Sequence, residues 1–263
     1  MTTDKGDGAL LPAPAKRDIL GTAISTTSYA DLLEIVGRKP RGDARVVTFC
    51  NVHSVMSARR EPQLRAALLE ADVACPDGMP LVWMLRRRDG LPQPRVYGPD
   101  FMEYALVNGV ARGWRHYFLG ATDATLERLD LAARRIAPGV RVVGRFAPPF
   151  RPLSPAEDTE IWARVRDSGA DLLWVGLGMP KQELWMHRAR TQLPGVTLLG
   201  VGAAFDLLSG AVPQAPDWLQ DRGLEWAYRL WREPRRLWRR YLFNNPAFAA
   251  LAAADLLAAR TRR

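Results

Sequence analysis

Apolar residues fall along this chain in two alternating patterns. Short, mostly apolar runs at 44–49, 72–75, 115–120, 140–144, 171–175 and 196–201 are bounded by turn residues. Such runs fit strands buried on both faces. Between them, apolar positions at helical spacing predict helices. These run over 28–38, 52–70, 79–88, 101–112, 122–136, 154–168 and 183–192. Two open on capping boxes, Ser28 with Asp31 and Ser154 with Glu157. Thr122 and Asp123 offer a cap to a third. Strand and helix alternate as far as residue 202, which predicts an α/β fold, a Rossmann-like parallel sheet with helices on both faces. Beyond Asp206 the pattern is helical only, at 214–221, 224–231, 234–243 and 246–260. The expected organisation is a flexible arm (1–17), an α/β domain (18–210) and a helical C-terminal appendage (211–263).

Charge sharpens that last boundary. Ten arginines stand between Arg222 and Arg263 against Glu225, Glu233 and Asp255, so the appendage carries most of the net +9. A local basic block implies an anionic partner. Trp218, Trp226, Trp231 and Trp238 lie in the same segment, and at least two are expected to pack it onto the sheet. No run reaches the roughly 18–20 apolar residues of a membrane span, the nearest (246–259) being broken by Asp255. The N-terminus has no apolar core of a signal peptide. Cys50 and Cys75 are expected as buried, inert thiols of a reducing compartment.

The stretch Val175-Gly176-Leu177-Gly178-Met179-Pro180-Lys181-Gln182-Glu183 joins a strand to a helix, where open α/β sheets keep their ligand sites. Its glycines permit a tight bend or a close ligand, and the helix start suits an anion. Lys181 and Gln182 add a charge and an amide at that mouth. Thr48, Asn51, Asp77 and Asp206 also fall at predicted strand ends, and so on the same sheet edge. There is no Gly-x-Gly-x-x-Gly after the first strand and no phosphate loop, which argues against dehydrogenases and nucleotide hydrolases. There is no Asp-x-Asp pair to hold a metal on a diphosphate, and neither metal nor cofactor is expected. His116 and His187 read as structural, and His53 lies nearer the crevice.

Six stretches together resemble one family. They are Thr48-Phe49-Cys50-Asn51; Cys75-Pro76-Asp77-Gly78; Arg95-Val96-Tyr97-Gly98-Pro99-Asp100; the 175–183 loop; Gly200-Val201-Gly202-Ala203-Ala204-Phe205-Asp206; and Ala215-Pro216-Asp217-Trp218 running on to Glu233-Pro234-Arg235-Arg236. The sequence is similar to the WecG/TagA/CpsF family of bacterial glycosyltransferases, with Thr48-x-x-Asn51 where many members have Thr-x-Asn. The resemblance implies inverting transfer of a sugar from a UDP-sugar to a polyprenyl-diphosphate-linked acceptor, at the inner face of the cytoplasmic membrane. It implies Asp77 as general base. It implies Thr48, Asn51 and Gln182 lining the site; Arg95, Gly176, Gly178, Lys181 and Asp206 are also expected in substrate binding. Arg229, Arg232, Arg235, Arg236 and Arg239 would then meet the membrane or a diphosphate, with Arg232 and Arg236 on one helical face. The competing reading is a non-catalytic or nucleic-acid-binding protein using the basic helices. No DNA- or RNA-binding motif accompanies the charge, so no nucleic-acid partner is expected.

Overall fold

The computed structural model describes residues 13–261. It opens on an antiparallel hairpin, β1 (Lys16–Ile19) and β2 (Thr22–Ser25), followed by α1 (Tyr29–Gly37) and β3 (Arg45–Cys50). Then come α2 (Val52–Ala58), α3 (Pro62–Glu70), β4 (Val73–Pro76), α4 (Met79–Asp89), α5 (Gly98–Gly109) and β5 (Arg115–Gly120). The second half holds α6 (Asp123–Ile136), β6 (Arg141–Phe146), α7 (Pro155–Ser168), β7 (Leu172–Gly176), α8 (Lys181–Ala189), β8 (Thr197–Gly200) and α9 (Ala204–Leu208). The chain ends on α10 (Asp217–Asp221), α11 (Glu225–Arg232) and α12 (Pro234–Thr261).

Six strands form one parallel sheet in the order β4-β3-β8-β7-β5-β6. Alternation along each strand sends side chains to two cores. From β3, Val47 and Phe49 pack with Leu32 of α1, Phe101 of α5 and Leu126 of α6. Val46 faces the opposite side, in the layer built from Ile161 of α7 and Trp185 of α8. Cys50 joins α2, α3 and α4 in a third cluster. Both faces are therefore covered over β3, β4, β5, β7 and β8, which is why these strands read as unbroken apolar runs. β6 departs from the expected burial on both faces: it lies at the sheet edge, with Arg141 and Arg145 exposed. β5 and β7 are neighbours, yet β5 leads outward to β6 and β7 leads back to β8. That divergence opens a crevice beyond their C-terminal ends.

Several elements differ from the sequence expectation. The first strand begins at Lys16, inside the segment read as an arm, and residues 1–12 lie outside the described residues. The hairpin is legible only as two buried isoleucines, Ile19 and Ile24, too short a signal for periodicity. The helix expected over 52–70 is broken before Pro62, which starts α3 at its first turn. Helices α5 and α8 begin three and two residues earlier than the spacing suggests, at Gly98 and Lys181.

The last two expected helices are one, with Pro246 inside α12. Proline removes an amide donor from a helix, but anchors on both sides hold this one. Asn244 Oδ1 accepts from Arg60 Nη2 at 2.7 Å, and its Nδ2 lies 3.0 Å from His53 Nδ1. Phe248 and Ala252 are buried against α2 and α4, and Asp255 pairs with Arg88 at 2.8 Å. Joined in this way, the segment Leu237–Ala259 is long and apolar enough to cross a membrane by length and composition, contrary to the sequence expectation. Its anchored side chains seat it along the α/β layer, while only 17% of its apolar window is buried.

The four appendage tryptophans do not pack onto the sheet. Trp218, Trp226, Trp231 and Trp238 are all exposed, from 38% to 72%. The sheet faces are already filled by α1–α9, so Trp218, Trp231 and Trp238 are left at the surface, while Trp226 packs on Tyr241 of α12 with ring centroids 5.8 Å apart.

Candidate active site

The sheet edge is shaped by close backbone approach. Gly120 and Gly176 are paired at the ends of β5 and β7, and a Cβ on Gly120 would meet the Gly176 carbonyl carbon at 2.5 Å. A Cβ on Gly176 would meet the Phe205 ring at 2.6 Å. Glycine at both tips lets the β5 and β7 backbones and the Phe205 ring pack this closely, and Gly176 lines the crevice above them. Gly178, at φ +76, turns the chain into α8 with open space above it.

That crevice has a volume of about 370 Å³. Asn51, Asp77, Gly176, Gly178, Gln182 and Asp206 all line it. Asn51 also caps α2, its Oδ1 accepting from the His53 and Ser54 amides at 3.0 and 3.4 Å. Gln182 is buried at the start of α8. Its Nε2 donates to Gly200 O at 3.0 Å and to Glu183 Oε1 at 2.8 Å. Its own Oε1 is buried with no partner among the described residues. A buried acceptor without a donor is costly, so a ligand N–H or O–H arriving there would be favoured.

A second cavity, of about 750 Å³, lies between α2, α4 and the C-terminal helices. Its walls are largely apolar, from Met79, Trp83, Leu224, Trp226, Phe248 and Leu256, with Arg87 and Arg222 among them. Asn51, Asp77, Tyr97 and Arg229 line both spaces, so Asp77 stands in a shared wall.

Asp77 follows β4, its amide donating to Cys50 O at 2.9 Å. Burial pushes its carboxyl up to about 7. Arg95 opposes this, Glu225 adds to it and Arg229 opposes it. Arg95 Nε donates to the Asp77 carbonyl at 2.5 Å, while its Nη2 lies 3.5 Å from Asp77 Oδ1 and 2.5 Å from Glu225 Oε2. A carboxylate that titrates near neutrality suits proton transfer at physiological pH.

Other expected site residues lie elsewhere. Thr48 is buried two residues short of the β3 tip, 3.5 Å from Cys50 Sγ, and lines neither cavity. Lys181 is exposed and also lines neither, because α8 starts with Gln182 and Glu183 turned inward. Arg95 lines only the larger cavity. Of the five arginines expected to meet the membrane or a diphosphate, Arg229 is the one among the described side chains that lines the cavities, and Arg222, not among the five, lines the larger one. Arg232, Arg235 and Arg239 are exposed, and the Arg236 side chain lies outside the described residues. Arg232 and Arg236 do not share a helix, since α11 ends at Arg232 and α12 starts at Pro234. The i, i+4 pair on α11 is instead Glu225 and Arg229.

Sequence reasoning missed Ala121, Thr122 and Phe150, which also line the crevice. Thr122 was legible as the α6 cap, and its Oγ1 does accept from the Thr125 amide at 3.2 Å. Its place at the tip of β5 was the signal for more. Phe150, 80% exposed, sits in a proline-flanked loop with no apolar periodicity to mark it. Cys50 and Cys75 are buried as expected, and burial pushes the Cys50 thiol up to about 12 and Cys75 upward as well. His116 is buried in the sheet, accepting from Trp174 Nε1 at 3.0 Å.

A family model described as "Glycosyl transferase WecG/TagA/CpsF family" matches residues 17–262. The chain belongs to that family. The paired cavities are thus features of a glycosyltransferase, and its match runs through the C-terminal helices as well as the sheet.

Proposed function

We propose that this glycosyltransferase transfers a sugar of the N-acetylmannosamine, glucose or uronic-acid type from a UDP-sugar to a polyprenyl-diphosphate-linked acceptor sugar. The product serves bacterial cell-surface polysaccharide synthesis. The observation that carries this reading is Asp77 in the wall between a polar crevice and a larger apolar cavity. The crevice suits a nucleotide sugar. Helix starts at α6 and α8 favour a diphosphate, and Phe150 at the rim offers a face for the base. The apolar cavity suits the first isoprene units behind an acceptor sugar.

In this reading the ionised Asp77 takes the proton from the acceptor hydroxyl. That oxygen attacks the anomeric carbon opposite the diphosphate, the bond to the diphosphate oxygen breaks, and UDP leaves with the electron pair. A single displacement inverts the centre. Arg229 meets the charge growing on the leaving group, an interaction stronger in the transition state than before it.

Docking is proposed at the anionic inner face of the cytoplasmic membrane. Its support is the exposed Trp231, Trp238, Leu242 and Phe243 beside exposed arginines on α11 and α12. Replacing Trp231, Trp238 and Phe243 together by Ser is expected to weaken binding to anionic liposomes about 100-fold or more, read by sedimentation. Undiminished binding would remove these aromatics from the docking surface.

The function itself is tested with a panel of UDP- and GDP-sugars and a polyprenyl-diphosphate sugar analogue as acceptor, with and without EDTA. Product from one UDP-sugar is expected. Turnover of GDP-sugars only, or of none, would contradict the proposal.

A further inference from the structure

Arg95 is caught between two carboxylates from distant parts of the chain. Its Nη2 is 2.5 Å from Glu225 Oε2 and 3.5 Å from Asp77 Oδ1. Its Nε is fixed on the Asp77 carbonyl at 2.5 Å, and its Nη1 is 3.4 Å from Gln220 Oε1. The guanidinium lies over the Tyr97 ring, 4.0 Å from the centroid, and the Tyr97 hydroxyl donates to Glu225 Oε1 at 3.0 Å. Both Glu225 oxygens are thus committed to the segment before α5, although Glu225 itself opens α11. All three charged side chains are nearly enclosed, at 14–17% exposure. One guanidinium nitrogen serves both acids, and the nearer is not the base.

We propose that Glu225 is a positioning residue: by holding the Arg95 fork it keeps that guanidinium from closing on the Asp77 carboxylate, so that Asp77 is a competent base only while α11 is seated at the sheet edge. This rests on the reading of Asp77 as general base. Without Glu225, Arg95 Nη2 has Asp77 as its near acceptor. Arginine and carboxylate then close into a charge-assisted pair, which favours the ionised, weakly basic form. Seating of α11 also brings in Arg229, one turn beyond Glu225, which lines both cavities. The appendage therefore delivers a residue that frees the base and a residue that faces the donor crevice on the same helix.

The groups around Asp77 allow this to be read cleanly. Arg95 and Tyr97 face it from the segment before α5, and Glu225 and Arg229 from α11. Cys50 and Cys75 approach from β3 and β4, and Tyr29 from α1. Burial pushes both thiols and both tyrosines upward, so they stay neutral near pH 7. His53 on α2 lines the same large cavity, with its Nδ1 held by Ser57 and Asn244.

The test is the titration of Asp77 followed by ¹³C NMR of carboxyl-labelled aspartate, assigned with Asp77→Asn, in the full chain. In Glu225→Gln the Asp77 midpoint is expected to fall by about one unit or more. Glu225→Asp, which keeps the charge at shorter reach, is expected to fall by less than half as much. If Glu225→Gln does not fold, the smaller downward shift in Glu225→Asp carries the test. In transfer assays, Glu225→Gln is expected to lower kcat about 3–10-fold and move the acid limb of kcat downward, with KM for the donor within about twofold. A merely structural salt bridge would change stability or KM and leave the limb in place. An unmoved Asp77 midpoint in both variants, or an equal shift in both, would overturn the proposal. Failure of the base reading is seen separately, as near wild-type transfer by Asp77→Asn, whatever the Glu225 variants do to the titration.

Discussion

Asp77→Asn is expected to lower the rate of sugar transfer about 10²–10⁴-fold while leaving donor binding within a few-fold. Amide for carboxyl keeps the shape of the shared wall and removes the only carboxylate among the described residues that lines both cavities. The pH profile follows from the same environment. A general base at Asp77 would act when ionised, and its carboxyl is held at about 7, so kcat in the wild type is expected to rise with pH through about 7. The sign for stability is the opposite. A folded-state value above the ordinary carboxylate value means that the fold favours the protonated form, so stability is lost as pH rises through about 7. Asp77→Asn should therefore raise Tm at pH 8 and leave it unchanged at pH 4. The rise from the ordinary 3.8 to about 7 bounds the gain at about 4 kcal/mol. A variant that transfers sugar at near wild-type rate would remove Asp77 from the mechanism.

Arg229→Ala is expected to lower kcat about 10²–10³-fold, the usual loss when one group that stabilises developing charge is removed. Arg235→Ala is expected to change kcat by less than twofold, because that side chain is exposed and lines neither cavity. The contrast separates two roles that charge counting merges. If the appendage acts only as a basic cloud, the two variants should behave alike, and both should respond to salt. If Arg229 meets the leaving diphosphate, only its loss is felt in kcat, and the loss persists at high salt. Equal effects from the two variants would count against a placed arginine.

Much of this architecture was legible from local chemistry. The unbroken apolar runs gave the buried strands, and the Ser28 and Ser154 capping boxes form as the sequence suggests, with both halves present in each. Asp77 and the 175–183 loop could be found because strand ends and turn residues are marked by neighbouring sequence. What could not be read were relations across the chain. Glu225 meets Arg95 over 130 residues of separation, and no periodicity announces such a contact. Thr48 carries the right chemistry at the wrong depth, because a strand that ends two residues later leaves it inside the sheet. The arginines of the appendage are alike in composition. Only the break between Arg232 and Pro234, and the docking of α11, decide that Arg229 turns inward. Pro246 gave a false stop, since Asn244 and Phe248 hold the helix on either side of it.

The most direct measurement is a crystal structure of the full chain with UDP bound. The uridine is expected in the crevice at the tips of β5 and β7, beside Phe150 and Asp206, with the diphosphate within hydrogen-bonding distance of Arg229 and directed toward Asp77. UDP in the large cavity beneath α11 and α12, or a diphosphate turned away from Asp77, would contradict the assignment of donor and acceptor to the two sides of that carboxylate.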